Sequence, residues 1–252
     1  MRLDAFLCYK GYFLSRTKSK QAIESERVYI DGILRNKPSF EVNEESEKVV
    51  EIKQETEFVS LGGYKLDKAL SDFSFSVKGL IAADLGASTG GFTDCLLQRG
   101  AKRVYAVDLN DSLLDERLKN DERVIGIVKN VRNLVRSDFS ERVDVITADL
   151  SFISLTKVLS IMSDIIDENS YIIALIKPQF ETETRMKFKN GIIRDESVKT
   201  AALKKVYDFA VNVGLSPLKI TNAPLVKDKN EEFLILLKKT DKETVSFDKI
   251  FV

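Results

Sequence analysis

The chain contains no histidine among its 252 residues, and that absence removes imidazole bases, Ser-His-Asp triads and histidine-ligated metals together. Proton transfer near neutral pH is left to Lys, Asp, Glu, Tyr or Cys. Cysteine is scarce: only Cys8 and Cys95 occur, far apart, which excludes a disulfide framework and a Cys/His zinc site. Both read as small buried hydrophobes. No apolar run approaches the roughly 18 to 20 residues of a membrane span, and the first turns, carrying Asp4 and Lys10, lack the apolar stretch of a signal peptide. The expectation is a soluble, cytoplasmic protein with no metal and no membrane partner, and the 44% hydrophobic content is ample for a core.

Net charge is also missing, since 39 basic and 39 acidic residues cancel. The average therefore says nothing about nucleic acid, but the distribution does. Residues 1–40 hold eight basic side chains (Arg2, Lys10, Arg16, Lys18, Lys20, Arg27, Arg35 and Lys37) against four acidic ones, and residues 41–57 reverse the balance with seven glutamates. A local basic face suits phosphate; a solvated helix surface is the competing reading. Leu3, Phe6 and Leu7 recur at helical spacing, and Ser15 is a natural cap for a second helix through Ala22 and Ile23. Val28–Leu34 alternates around Asp31-Gly32, the favoured two-residue hairpin turn, and a strand is expected over Lys48–Ile52. These elements make a small α+β unit over 1–57, followed by a linker over 58–63.

From residue 64 to 252 helices and strands alternate. Leu66, Ala69, Leu70 and Phe73 lie on one helical face, and strands are expected at Leu80–Leu85, Arg103–Leu109, Arg123–Val128, Val143–Leu150 and Tyr171–Ile176. Helices are expected at Gly90–Gln98, Ile153–Ile166 and Ser197–Val213, and two closing strands, Leu218–Thr221 and Phe233–Lys239, have no clear helix between them. The pattern predicts a Rossmann-like α/β domain, a parallel sheet with helices on both faces and an antiparallel edge. Thr182–Asn190 has too few apolar residues to anchor it and is expected to be mobile.

In an open α/β sheet the carboxyl ends of the strands rim the ligand crevice. Asp84-Leu85-Gly86-Ala87-Ser88-Thr89-Gly90-Gly91-Phe92 turns a strand into a helix through a small-residue loop, and Asp108 ends the next strand 24 positions after Asp84. That is a nucleotide-binding arrangement, in which the second acid accepts the ribose hydroxyls. A dinucleotide is the competitor. Ser88 occupies the position of the glycine that approaches pyrophosphate, and an acid at Asp84 would repel pyrophosphate while suiting the amino group of a methionine moiety, so S-adenosylmethionine is favoured. Asp149 and Lys177 close apolar runs at further strand ends, Lys65 lies on the helix before the first strand, and Glu232 stands at the entry to the last one. Taken singly they read as a helix cap, a pre-proline residue, a surface lysine and a turn. Together they could share one edge of the sheet.

Arg2-Leu3-Asp4, Ser15-Arg16-Thr17-Lys18, Gly62-Gly63-Tyr64-Lys65-Leu66, Asp84–Phe92, Asp149–Leu155, Lys177–Glu181 and Gly191-Ile192-Ile193-Arg194-Asp195 occur in one chain. In this combination the sequence resembles the TlyA family of S4-domain rRNA 2′-O-methyltransferases, historically labelled hemolysins, whose catalytic domain is similar to the FtsJ/RrmJ group. The resemblance implies a class I methyltransferase sheet preceded by an S4-like domain, S-adenosylmethionine as cofactor, and rRNA or a ribosomal subunit as partner. It implies a Lys-Asp-Lys-Glu tetrad at Lys65, Asp149, Lys177 and Glu232, with Glu231 as the alternative fourth member. Cofactor contacts fall on Asp84, Gly86, Ser88, Gly90, Gly91, Phe92 and Asp108, and RNA contacts on Arg2, Arg16, Lys18, Lys20, Arg35 and Lys37.

The implied chemistry is consistent with the absence of histidine. A ribose hydroxyl must be held in line with the methyl group and lose its proton during attack, and Lys177 is the candidate for that proton, within a set of four coupled groups. Free lysine titrates at about 10.4, so a lysine base needs desolvation or a neighbouring cation. The chain departs from the family pattern at Leu61, where an arginine is common, at Leu109-Asn110-Asp111, which lacks the usual glycine-glutamine, at Glu26 in place of a glycine, and at Lys199 in place of a histidine. Two other functional classes compete: a catalytically silent RNA-binding or assembly factor, and a membrane-lytic protein. With only Met1 ahead of the S4-like unit, the expectation is a monomer that methylates a cytidine in large-subunit rRNA alone.

Overall fold

The computed structural model describes residues 1–24, 27–43, 50–52, 58–182, 188, 191–226, 229–240 and 244–252. By internal contacts the chain divides into two compact units, Met1–Glu57 and Phe58–Val252.

The first unit opens with α1 (Leu3–Tyr9) and α2 (Arg16–Glu24), the second begun by Ser15, whose Oγ accepts from the Lys18 amide at 3.3 Å. β1 (Val28–Ile30) and β2 (Ile33–Leu34) form the expected hairpin, with Asp31 and Gly32 both left-handed at φ 52° and 74°, as such a turn demands. β3 (Val50–Ile52) pairs with β1 from the other side. Leu3, Phe6, Leu7, Ala22, Ile23, Val28 and Ile30 are the buried core. Lys48 and the departure at Glu26 lie outside the described residues.

The second unit is a seven-stranded sheet. Its strands are β4 (Ile81–Leu85), β5 (Arg103–Asp108), β6 (Val124–Val128), β7 (Val145–Ala148), β8 (Tyr171–Ile176), β9 (Leu215–Asn222) and β10 (Phe233–Lys239), in the order β6-β5-β4-β7-β8-β10-β9. The first five are parallel, and β10 runs antiparallel to both β8 and β9, as the closing strand pair predicted. Side chains alternate between two cores, the strand period of two. Ala83, Leu85, Ile146, Ala148, Ile172 and Ala174 face one core, while Ala82, Val145, Ile173 and Leu175 face the other. Helices α3 (Leu61–Asp72) and α4 (Gly91–Gln98) cover the second face through Leu66, Leu70 and Leu96. A short α5 (Glu116–Lys119) follows β5. The first face is covered by α6 (Leu159–Ile165) and α8 (Glu196–Asn212) through Leu159, Met162, Leu203 and Val206, and a short α7 (Pro178–Glu181) follows β8.

Three expectations change. The segment 58–63 is no linker, because Phe58 is buried in the second unit and α3 already begins at Leu61. The helix expected over Ile153–Ile166 is broken: Ser154 caps a single 3₁₀ turn at Leu155–Lys157, and the α-helix starts only at Leu159. β9 extends back through Pro217, which is tolerated because the outer side of this last strand is paired only further on, at Ile220 with Phe251. The segment expected to be mobile, Thr182–Asn190, lies outside the described residues except for Thr182 and Phe188.

Candidate active site and basic face

Between β4 and α4 the glycine loop folds against its neighbours. Gly86 has φ 82°, and a Cβ there would stand 2.9 Å from the Asp149 carbonyl oxygen. At Gly91 a Cβ would come within 2.2 Å of Ser60 Oγ and 2.9 Å of the Gly63 amide nitrogen, so only glycine lets α4 begin this close to α3. Ser88 is itself left-handed at φ 50°, and its amide donates to Asp108 Oδ2 at 2.8 Å. Asp108 Oδ1 accepts from the amides of Leu109 and Asn110 at 2.7 and 3.3 Å. The carboxylate thus fixes the mouth of the loop while keeping about one acceptor site, on Oδ2, for a ligand.

Asp84 behaves differently from its expected role. It is fully buried, and its carboxyl accepts hydrogen bonds from Thr93 Oγ1 at 2.7 Å and Thr147 Oγ1 at 3.0 Å. Burial, aided by the charge of Asp149, pushes its pKa up to about 7. Asp84 lines no described cavity and ties the start of α4 to β7 beneath the loop, so direct contact with a methionine amino group is corrected to support from below. Gly90 is also packing rather than lining: a Cβ there would meet Leu118.

A cavity of about 600 Å³ opens above this floor, walled by Gly86, Ser88 and Asp108 on one side and Leu113, Val131 and Ile153 on the other. That volume is within the range for a cofactor-sized ligand, and a carboxylate beside apolar walls suits a ribose and an adenine ring. A second cavity of about 190 Å³ shares Gly86, Ser88, Asp149 and Ser151 with it, and is also lined by Phe92 and Lys177. Leu113, Asn130, Val131, Ser151 and Ile153 were missed from the sequence. All follow the ends of β5, β6 and β7, so the strand-end rule that singled out Asp149 could have found them. A cavity of similar size, about 620 Å³, lies along 135–143, where the chain enters β7, away from the glycine loop.

The four candidate charges meet at the same edge. β7, β8 and β10 are consecutive in the sheet, and β10 is antiparallel, so the ends of two strands and the start of the third bring Asp149, Lys177 and Glu232 side by side. Lys65, one turn into α3, completes the group. Its Nζ donates to Glu232 Oε2 at 2.6 Å and lies 3.9 Å from Asp149 Oδ2. Lys177 Nζ is 2.6 Å from Asp149 Oδ1, an ionic contact without good hydrogen-bond angles, and its directed bond goes to Ser151 Oγ at 2.9 Å. Lys177 is only 8% exposed. Glu231 faces elsewhere, accepting from Lys199 Nζ at 2.6 Å and Asn222 Nδ2 at 2.8 Å. Lys199 is thereby spent on Glu196 and Glu231.

The loops after β7 and β8 are fastened together. Glu181, buried, accepts from the Leu155 amide at 2.7 Å and from Ser154, and desolvation raises its pKa. Phe152 is left-handed at φ 63° and 90% exposed, its ring 5.4 Å from that of Phe180. A non-glycine residue held there is strained.

In the first unit, Lys18, Lys20 and Lys37 are exposed, whereas Arg2 and Arg16 both bond the buried carboxylate of Asp4, at 3.0 Å each. Their guanidinium groups hold the Asp4 carboxyl well down, to about 2. Arg35 stacks over Phe40 at 4.2 Å. The expected RNA-binding set therefore divides into exposed lysines, of which Lys20 lies 3.7 Å from Glu24, and arginines already engaged.

The family model described as FtsJ-like methyltransferase matches residues 58–240, and the S4 domain model matches residues 1–48. The chain is 36% identical to "Hemolysin A" of Brachyspira hyodysenteriae over 93% of its own length and 98% of the relative's. It is 35% identical to the "16S/23S rRNA (cytidine-2'-O)-methyltransferase TlyA" of Mycobacterium tuberculosis, over 96% of this chain and 91% of that protein. A solved structure described as a hemolysin from Streptococcus thermophilus superimposes with a TM-score of 0.76 at 36% identity, covering 99% of this chain and 92% of the other.

Proposed function

The chain belongs to the FtsJ-like methyltransferase family, in its S4-bearing TlyA group, and we propose that it methylates the 2′-hydroxyl of a cytidine in ribosomal RNA with S-adenosylmethionine. The observation that carries this reading is the contact of Lys65, Asp149, Lys177 and Glu232 beside the glycine-loop cavity. A histidine-free cluster of two lysines and two carboxylates, with Lys177 buried and the other three half-buried, is suited to moving one proton.

Asp108 would hold the cofactor ribose, the apolar wall its adenine, and the Gly86–Gly91 backbone its methionine portion. When bound, the cofactor supplies an electrophilic methyl group. The remaining work falls to the chain's own residues. Lys177, as the free amine, would take the hydroxyl proton, Asp149 would orient it through the 2.6 Å contact, and Glu232 would fix the Lys65 ammonium beside it at 2.6 Å. Positioned proton transfer contributes roughly 10²- to 10⁴-fold in rate. Phe152, exposed at the rim, offers a ring on which an unstacked base could rest.

The first unit would bring the RNA. Its exposed Lys18 and Lys20 are the phosphate contacts of choice, and reversing both to Glu should raise the RNA dissociation constant and lower the salt slope by about two, while cofactor affinity stays fixed. An unchanged slope would leave this helix a solvated surface. Target choice is tested by mapping 2′-O-methylation in both rRNAs from cells with and without the gene. We expect a gene-dependent methyl group on a large-subunit cytidine; a near-stoichiometric group on small-subunit RNA would overturn the restriction to the large subunit, and no gene-dependent group would overturn the function. Membrane lysis has no structural support among the described residues, where no helix is long and apolar enough to cross a membrane.

A further inference from the structure

We propose that Ser151 is a positioning residue that aims the Lys177 amine at the substrate hydroxyl, an inference that rests on the role given to Lys177 above. Three observations carry it. Ser151 Oγ accepts the one well-directed hydrogen bond that Lys177 Nζ makes, at 2.9 Å. Ser151 lines both the larger and the smaller cavity, so it stands where the two adjoin. Its loop is clamped to the Lys177 loop by Glu181, which accepts from Leu155, and by the Phe152–Phe180 ring contact, so the bond joins two fixed backbones.

The chemistry follows from counting protons. In its base form the amine has two N–H groups and one lone pair. Ser151 Oγ takes one N–H in a directed bond, and the Asp149 carboxylate, 2.6 Å from Nζ but outside hydrogen-bond geometry, repels the lone pair, which is left for the ribose hydroxyl. As the hydroxyl oxygen bonds the methyl carbon and the carbon–sulfur pair stays on sulfur, the hydroxyl proton passes to Lys177 Nζ. The resulting ammonium keeps the Ser151 bond and stands beside the Asp149 carboxylate. Without Ser151 the amine is free to turn about its long side chain, and fewer encounters present the lone pair.

The test compares Ser151→Ala, Ser151→Thr and Lys177→Ala in the full chain, with rRNA as substrate. For Ser151→Ala we expect the plateau kcat to fall about tenfold, the worth of one hydrogen bond. Calorimetric affinity for S-adenosylhomocysteine and KM for RNA should stay within about twofold, as expected of a residue that acts through Lys177. Losing an acceptor also disfavours the ammonium, so the acid limb of the kcat profile moves to lower pH, with Lys65, Asp149 and Glu232 unaltered around it. Competitive acylation of Lys177, read by mass spectrometry on the protein alone, should move in the same direction. Ser151→Thr, which keeps the acceptor, should restore both. A Ser151→Ala enzyme with wild-type kcat and an unmoved limb overturns the inference, as does a loss that follows cofactor affinity in parallel. Methyl transfer retained by Lys177→Ala would instead remove the reading of Lys177 on which it rests.

Discussion

Asp84 and Asp149 end neighbouring strands of one sheet, yet the two halves of the carboxyl edge they represent are built on opposite terms. On the β4–β5 side, polar groups are held mainly by the chain: Asp84 wholly, by two threonine hydroxyls, and Asp108 in large part, by three backbone amides, while Gly86 and Gly91 allow close backbone approach. On the β7–β8–β10 side, charged groups meet mainly one another, and Asp149 and Lys177 line an open cavity. The first half shapes a space from backbone, with only Asp84 sealed away from solvent beneath it. The second concentrates charge that has nowhere else to go. Residues that a motif marks as binding can therefore be scaffold, and residues that read singly as surface charges can be the chemistry.

The sharpest way to break this contrast is at the lysines. Lys65→Ala and Lys177→Ala should each lower methyl transfer by at least about 10²-fold, the lower end for a lost proton-transfer group, with cofactor affinity nearly unchanged. Turnover comparable to wild type in a single-turnover assay would return them to surface status. Asp108→Ala comes next. It removes a charged acceptor, at roughly 1.5 to 3 kcal/mol of cofactor binding, and it also frees the Ser88, Leu109 and Asn110 amides, so the loop mouth should loosen in hydrogen exchange. Titration calorimetry with undiminished affinity would mean that Asp108 serves only the loop.

What was legible in the sequence tracks what is local. The apolar runs revealed the buried strands, Asp31-Gly32 its hairpin, and the strand-end rule Asp149 and Lys177, while Lys65 and Glu232 came with the family resemblance. The rest depends on partners supplied from a distance. Asp84 is silenced by Thr147, 63 residues on, and Arg16 by Asp4 in another helix. Glu231 and Glu232 are adjacent, and only the path of the chain into β10 decides that Glu232 meets Lys65 while Glu231 turns to Lys199. The break after Phe152 escaped the periodicity because Leu155, Val158, Leu159 and Met162 are apolar at helical spacing, while the chain instead turns at the strained Phe152 and is fastened just beyond it, at Ser154 and Leu155, by Glu181.

The smallest effect on turnover, and the finest test of the contrast, is expected of Asp84→Asn. An amide can still accept from one threonine and donate to the other, so packing and methyl transfer at pH 7.5 should change by no more than about twofold if Asp84 is scaffold alone. Stability should change in a defined way. Unfolded aspartate titrates near 3.9, whereas burial holds folded Asp84 at about 7. Below about pH 4 both states are protonated and the group is neutral to stability. Between about 4 and 7 the unfolded chain releases this proton while the native chain keeps it, so native protein loses stability as pH rises, and above 7 the penalty is constant. The amide of the variant cannot titrate. The difference in unfolding free energy between variant and wild type, from urea melts at pH 4.5 and pH 8, should therefore shift towards the variant at the higher pH, with every other carboxylate cancelling. A difference independent of pH would mean that Asp84 titrates as a solvated carboxylate, and that the contrast between the two halves of the edge fails at Asp84.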